Sequence, residues 1–364
     1  MSAFLVLGEA EGRYVVAWSR ARVDYASWCA LSDEELARRD IAEVNLACAA
    51  GLPHSRGLDV PSLLRQLDDW AKLVARATQR AIQRRRCSDR YRDLTHSQFR
   101  MLVLMSVLAG HLGVKFDPQA MAGDFDASDS RRLFLPGLLA GHGGTCVSMP
   151  VLVAALGRRL DYPIKLVLAP NHMFCRWRSD RETFNIEATS PGYNSPPDDH
   201  YLSWPRRICP KQHAATGWWL RDLTPREELA YFLAHRGFCF LEYLQTDLAV
   251  EALYHAVRLQ PPPPLHYEDW CIASILHQAL VESRARPREV AGVTIVRFPE
   301  PKHDWERHLR PRAEAELQRI VMNQGQRLAR EQQPESWVAH ARRFADYDPH
   351  IAHVLRSMAC TTRK

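Results

Sequence analysis

A chain of 364 residues, 46% hydrophobic and 25% charged, has the composition of a globular protein with one large domain or two to three ordinary ones. No run approaches about 18 consecutive apolar residues, which argues against a membrane-spanning helix, and the opening MSAFLVLGEAEGRYVV turns acidic too early for a signal peptide. A formal charge of +6 is modest for this length, and nucleic-acid binding would call for more basic charge interleaved with aromatics. The nine cysteines (Cys29, Cys48, Cys87, Cys146, Cys175, Cys209, Cys239, Cys271 and Cys360) are odd in number and form no CxxC pair. That usage in a chain this large predicts reduced thiols and a cytoplasmic location.

In chain order, FLVLGEAEGRYVVAWSR places two apolar runs around a Gly/Glu turn and predicts a hairpin. From LSDEELARRD to VKFD the pattern is helical, with Ser32 and Glu35 spaced as a capping box. In DVPSLLRQLDDWAKLVARATQRAIQRR, Leu63, Leu64, Leu67, Trp70, Leu73, Val74 and Ala77 recur at steps of three and four. Asp59 is placed to cap that helix, with Pro61 in its first turn. The basic run QRAIQRRRCSDRYRD reads as a solvated face. HSQFRMLVLMSVLAGHL is apolar nearly all round and predicts a buried helix.

The character changes near residue 117. A glycine-rich turn, GHGGTC, leads into the helix VSMPVLVAALGRRL, and then come the strands PIKLVLAP, HMFCRW and TFNIEAT. SPGYNSPPDDHYLSWP reads as a loop, either a surface connection or a gate beside the last strand. Two amphipathic helices follow around LQTD, stopped by Pro261 to Pro264, and a third runs through LHYEDWCIASILHQALVESR. VAGVTIVRFPEP reads as a strand, and 302–356 as charged helix. The fold class predicted is α+β, mainly helical with a small antiparallel sheet.

The chemistry gathers in the centre, where Cys146, His172 and Glu187 follow in the order thiol, imidazole, acid. Exposed N–H groups and the helix dipole at the start of the Cys146 helix favour a thiolate there. Strand alternation puts His172, Phe174 and Arg176 on one face, and Glu187 with Asn185 on one face of the next strand. Antiparallel pairing would then bring Glu187 to one ring nitrogen of His172 and leave the other for the thiol. The Cys146 N–H is a natural oxyanion donor, and Gly144, Thr145 and Gln119 are further candidates for oxyanion or substrate positioning. Gly141, Gly143 and Gly144 would let a substrate backbone approach closely. Cys175, three residues after His172, should face the other side of its strand and pack. His142, Cys146, His172 and Cys175 are also a possible zinc set, disfavoured because His172 and Cys175 point apart.

GTCVSMPVLVAALGRRLDYPIKLVLAPNHMFCRW, with FNIEAT, resembles the transglutaminase-like superfamily and its papain-type cysteine–histidine–acid arrangement. The resemblance extends over about 40–265 and, more narrowly, to a bacterial branch with a helical N-terminal region and a tetratricopeptide-like tail. It implies Cys146 as nucleophile, His172 as base and Glu187 as orienting acid, where the superfamily more often has Asp. It implies a thioester route to peptide or amide hydrolysis, or to transamidation, on a peptide or protein substrate. No cofactor, metal, nucleic acid or membrane is implied. The division that follows is a helical region over 1–116, a catalytic core over 117–222, a tetratricopeptide-like unit over 223–285 and a helical extension over 286–364. The alternative is a catalytically silent module on the same fold that binds a protein partner, with the helical tail as a contact surface.

Overall fold

Apolar residues on every side of one helix set the centre of the larger unit. In the computed structural model, every residue from Met149 to Gly157 of the Met149–Arg159 helix is buried. The structure describes residues 5–7, 25–85, 91–117, 127–211, 217–285, 289–290 and 293–330. It is mainly helical α+β with small three-stranded antiparallel sheets. The chain divides into two compact units, one of residues 21–236 with 258–265, the other of 1–20, 237–257 and 266–364.

In the first of these units the Met149–Arg159 helix is wrapped by the helices Ile41–Ala49, Val60–Arg85, His96–Gly110 and Leu135–Leu139. The expected caps are present. Ser32 and Glu35 form the reciprocal capping box of the Asp33–Ala37 helix, and Asp59 Oδ1 accepts from Ser62 N–H at the head of Val60–Arg85. Of the stripe read from the sequence, Leu67 and Val74 are buried and the remaining members are half-buried, while Arg65, Asp68, Asp69, Lys72 and Arg76 face outward. A second capping box, between Thr95 and Gln98, starts His96–Gly110.

The central helix packs on one face of a sheet ordered β2 (Ile164–Ala169), β3 (His172–Arg178) and β4 (Thr183–Ile186). β2 and β3 pair from Ala169↔His172 to Ile164↔Trp177, around a two-residue turn in which Asn171 takes a positive φ of 60°. Asn tolerates that left-handed conformation, and Pro170 before it suits the turn. Cys175↔Ile186 and Arg176↔Asn185 fix the register of β3 with β4. Cys175 faces the helix, and its thiol meets Pro150 O at 3.2 Å.

The opposite face of the sheet carries Val167, Ala169 and Phe174, and a short helix, Asp198–Tyr201, closes over them with Trp204 and Leu220. The segment read as a surface connection or gate is therefore anchored to the sheet. Arg176, whose side chain is 3% exposed, holds it there: it donates to Asn185 Oδ1, Leu220 O, Asp222 Oδ1 and, at 2.6 Å, Asp198 Oδ1. Asn185 Nδ2 also reaches Asp198 Oδ1, at 2.7 Å, and Pro196 O.

In the other unit, β6 (Val293–Val296) lies between β1 (Leu5–Leu7) and β5 (Glu289–Val290). Leu5–Leu7, the first run of the hairpin expected near the start, pair with Val293–Val296, far along the chain; the second run, Tyr14–Trp18, lies outside the described residues. Helices Tyr267–Ala285 and Asp304–Arg330 pack together, and Arg319 pairs at 2.5 Å with Glu242, which is wholly buried.

Replacing Arg176 by Met should lower stability by about 1–3 kcal/mol, toward the low end for a buried pair because Asp198, 53% exposed, returns to water. Amide exchange in 198–204 should quicken more than in β2. Unchanged stability and unchanged exchange in that segment would show that the guanidinium does not anchor it.

Candidate active site

Two local constructions meet at the β2–β3 turn. The first presents the thiol. Met149 N–H reaches Thr145 O at 3.0 Å, so helical hydrogen bonding begins one turn ahead of the regular helix and Cys146 stands in that turn. Thr145 Oγ1 accepts from Val147 N–H at 3.1 Å, and Ser148 Oγ accepts from Thr145 N–H at 3.1 Å. Both hydroxyls donate to Arg132 O. This reciprocal cap contributes on the order of 1 kcal/mol and fixes the turn. Among the described residues the Cys146 N–H has no partner, and the thiol is half-buried.

The second construction presents the imidazole and the acid. His172 opens β3, and Glu187 follows β4 by one residue on the same sheet face, its N–H turned to Asn194 O. His172 Nε2 lies 2.8 Å from Glu187 Oε2. The Cys146 thiol comes near enough to the ring to be among the causes that raise the His172 imidazole. Cys146 Sγ further contacts Asn171 O at 3.9 Å. The structure thus bonds Glu187 to the His172 ring and sets Cys146 against Asn171, the residue before His172.

Glu187 is buried, and a bare carboxylate there would cost several kcal/mol. Four donors offset that cost. Oε2 accepts from His172 and from Tyr201 O–H at 3.0 Å, while Oε1 accepts from Thr189 N–H at 3.0 Å and Thr189 O–H at 2.5 Å. Burial alone would raise its carboxyl, but the hydrogen bonds and charge of His172 and the bonds from Thr189 hold it below the ordinary range. For His172, burial acts to lower the value, and the hydrogen bonds of Cys146 and Glu187 outweigh it, pushing the imidazole up to about 9.

Aromatic rings cover this pair. Trp204 meets His172 edge-on, with centroids 4.7 Å apart, and Tyr201 stacks on Phe174 at 3.8 Å. Tyr201, Trp204 and Thr189 were not singled out from the sequence. The one available signal was DDHY after Pro197, an acidic start to a helical turn.

The remaining sequence-predicted residues have other employment. Gly144 N–H goes to Lys115 O and Gly144 O accepts from Asp117 N–H, so Gly144 has no backbone donor left for an oxyanion. A Cβ on it would lie 2.5 Å from Met149 Cγ and 2.6 Å from Leu138 Cδ2; glycine is required there for packing rather than for substrate approach. Gly143 is buried too and serves the turn with φ of 84°. Thr145 spends its N–H on Ser148 and its hydroxyl on Arg132 O, and so builds the turn instead of meeting substrate. Gln119 lies outside the described residues. Cys175 is buried on the far face of the sheet from His172, with its thiol pushed up by burial, and His142 is exposed. Among the described residues no three His, Cys, Asp or Glu side chains gather as a metal site, and no helix is long and apolar enough to cross a membrane.

Residues 62–206 match the model of a family described as the transglutaminase-like superfamily, a stretch that contains all three residues of the line. The match is narrower than the expected 40–265. Neither the curated proteins nor the solved structures returned a match.

Folded His172 keeps its proton to about 9, against an ordinary 6.5, so between these values the native state binds more protons than the unfolded chain. Its contribution to stability is whole below about 6.5 and is lost as pH rises through about 9. Glu187 acts in the opposite sense, contributing above its ordinary 4.5 and losing that contribution as pH falls through its lowered folded value. The difference in urea midpoint between the wild type and His172→Gln should therefore shrink from about pH 6 to about pH 9.5. A gap that stays constant or widens would contradict the assigned pairing.

Proposed function

We propose that this chain is a cysteine-dependent acyl-transfer enzyme acting on amide bonds, with Cys146 as nucleophile, His172 as general base and acid, and Glu187 as the group that orients the imidazole. One observation carries the reading: the His172 ring lies 2.8 Å from a buried carboxylate bound by four donors, and a half-buried thiol stands at the turn beside it, its Sγ 3.9 Å from Asn171 O. The match of 62–206 to the transglutaminase-like superfamily supports the same class.

In this mechanism the thiol's proton rests on His172, as a thiolate–imidazolium pair, and the thiolate adds to the substrate carbonyl carbon. The oxyanion meets the Cys146 N–H, and His172 returns the proton to the nitrogen as the C–N bond breaks, which leaves a thioester and a free amine. Water, losing a proton to His172, then attacks the thioester; the acid departs and the thiol is restored. Water is the default acceptor, so hydrolysis of a peptide or amide is favoured over transfer to a second amine. Glu187 stays ionised throughout and holds the ring against rotation.

Alkylation resolved by cysteine tests this. Cys209 is an exposed free thiol and serves as the internal reference. At about pH 6.5, iodoacetamide should modify half-buried Cys146 at least ~10-fold faster than Cys209, and His172→Ala should abolish that advantage. Equal rates at the two thiols, unchanged by His172→Ala, would instead indicate a silent interaction module.

A further inference from the structure

We propose that Tyr201 is a positioning residue for this site: its hydroxyl shares Glu187 Oε2 with His172 and so sets how firmly the carboxylate holds the imidazole. The inference rests on the acyl-transfer reading for its consequence, but the geometry stands apart from it. Tyr201 O–H lies 3.0 Å and His172 Nε2 2.8 Å from the same oxygen. The phenol ring is wholly buried and stacked on Phe174 with 3° between the planes, so its hydroxyl is aimed by the ring and not by solvent. The turn that carries it is fixed at Asp198 by Arg176 and Asn185, which lie on the same sheet face as His172 and Glu187.

A donor on a carboxylate oxygen draws off electron density and weakens that oxygen's attraction for a second proton donor. Tyr201 keeps its proton for this role, because burial, with the charge and hydrogen bond of Glu187 added to it, drives the phenol well above its ordinary range. Among the described residues, the other titratable or charged groups facing the pair include His200, whose ring centroid lies 5.1 Å from that of Tyr201, Cys146 near the ring of His172, Arg176 and Asp198 along the sheet, and Cys175 from beneath it. Among the described residues only His172 and Tyr201 bond Oε2. The second oxygen is held by Thr189, so a change at Tyr201 acts on the oxygen that faces the histidine.

The test is an NMR titration of the His172 imidazole in the wild type, in Tyr201→Phe, and in protein carrying 3-fluorotyrosine at 201, a stronger donor of nearly the same shape. Removing the hydroxyl should leave Glu187 a stronger base and raise the His172 midpoint by about half a unit. The fluorinated ring should lower it. A purely structural tyrosine would leave both midpoints at the wild-type value, and that result overturns the inference. If Tyr201→Phe does not fold, the fluorinated protein decides alone: a lowered midpoint supports the role and an unmoved one ends it. The titration needs no substrate. Shifted midpoints with no acyl chemistry would sink the enzymatic reading and leave Tyr201 in place, while acyl chemistry with unmoved midpoints would sink only the inference about Tyr201.

Discussion

A buried carboxylate is tolerable only when its lone pairs are engaged, and the site is organised around meeting that condition for Glu187. Its four donors come from β3, from the residue two positions on, and from the short helix that closes over the sheet. Each constrains a different piece of backbone. β3 and β4 must keep their register to place the imidazole, the chain must turn after Glu187 to bring back Thr189, and the loop must fold down to deliver Tyr201. Arg176 serves the last requirement by binding Asp198 at the start of the closing helix. The negative charge also gives the imidazole a reason to stay protonated, since burial by itself would strip its proton.

The thiol arrives by an independent route. The turn before the central helix is stiffened by Thr145 and Ser148, and the first turn of that helix approaches the hairpin at Asn171 and His172. Gly144 permits the approach because no Cβ fits between it and Met149 and Leu138. Rigid elements therefore supply both halves of the line, helix start on one side and strand start on the other. Such support is what a nucleophile and its base need if their separation is to be held within a fraction of an ångström.

Much of this was legible in local pattern. Alternation in HMFCRW put His172, Phe174 and Arg176 on one face and Cys175 on the other, and pairing across a short turn then brought Glu187 to the ring. Periodicity read the Val60–Arg85 helix, and cap chemistry read its start. What local pattern missed depends on contacts between distant segments. Tyr201 sits in a polar stretch with no periodicity, and nothing in its neighbours reports that Phe174 will lie beneath it. The pairing of Leu5–Leu7 with Val293–Val296 joins segments nearly the length of the chain apart, and no local pattern announces it. Gly144 and Thr145 were read as substrate contacts because glycine and threonine beside a nucleophile suit both roles; only their hydrogen-bond partners separate a site that receives substrate from a turn that presents a thiol.

The most direct measurement of the central claim is covalent capture. The full chain is exposed to a panel of activated esters and acyl electrophiles and the modified residue is read by mass spectrometry. The account predicts one acyl group on Cys146, released by water over time, with no such adduct in Cys146→Ala and none formed at comparable speed in His172→Ala. Acylation spread over the exposed thiols at rates indifferent to His172 would contradict it.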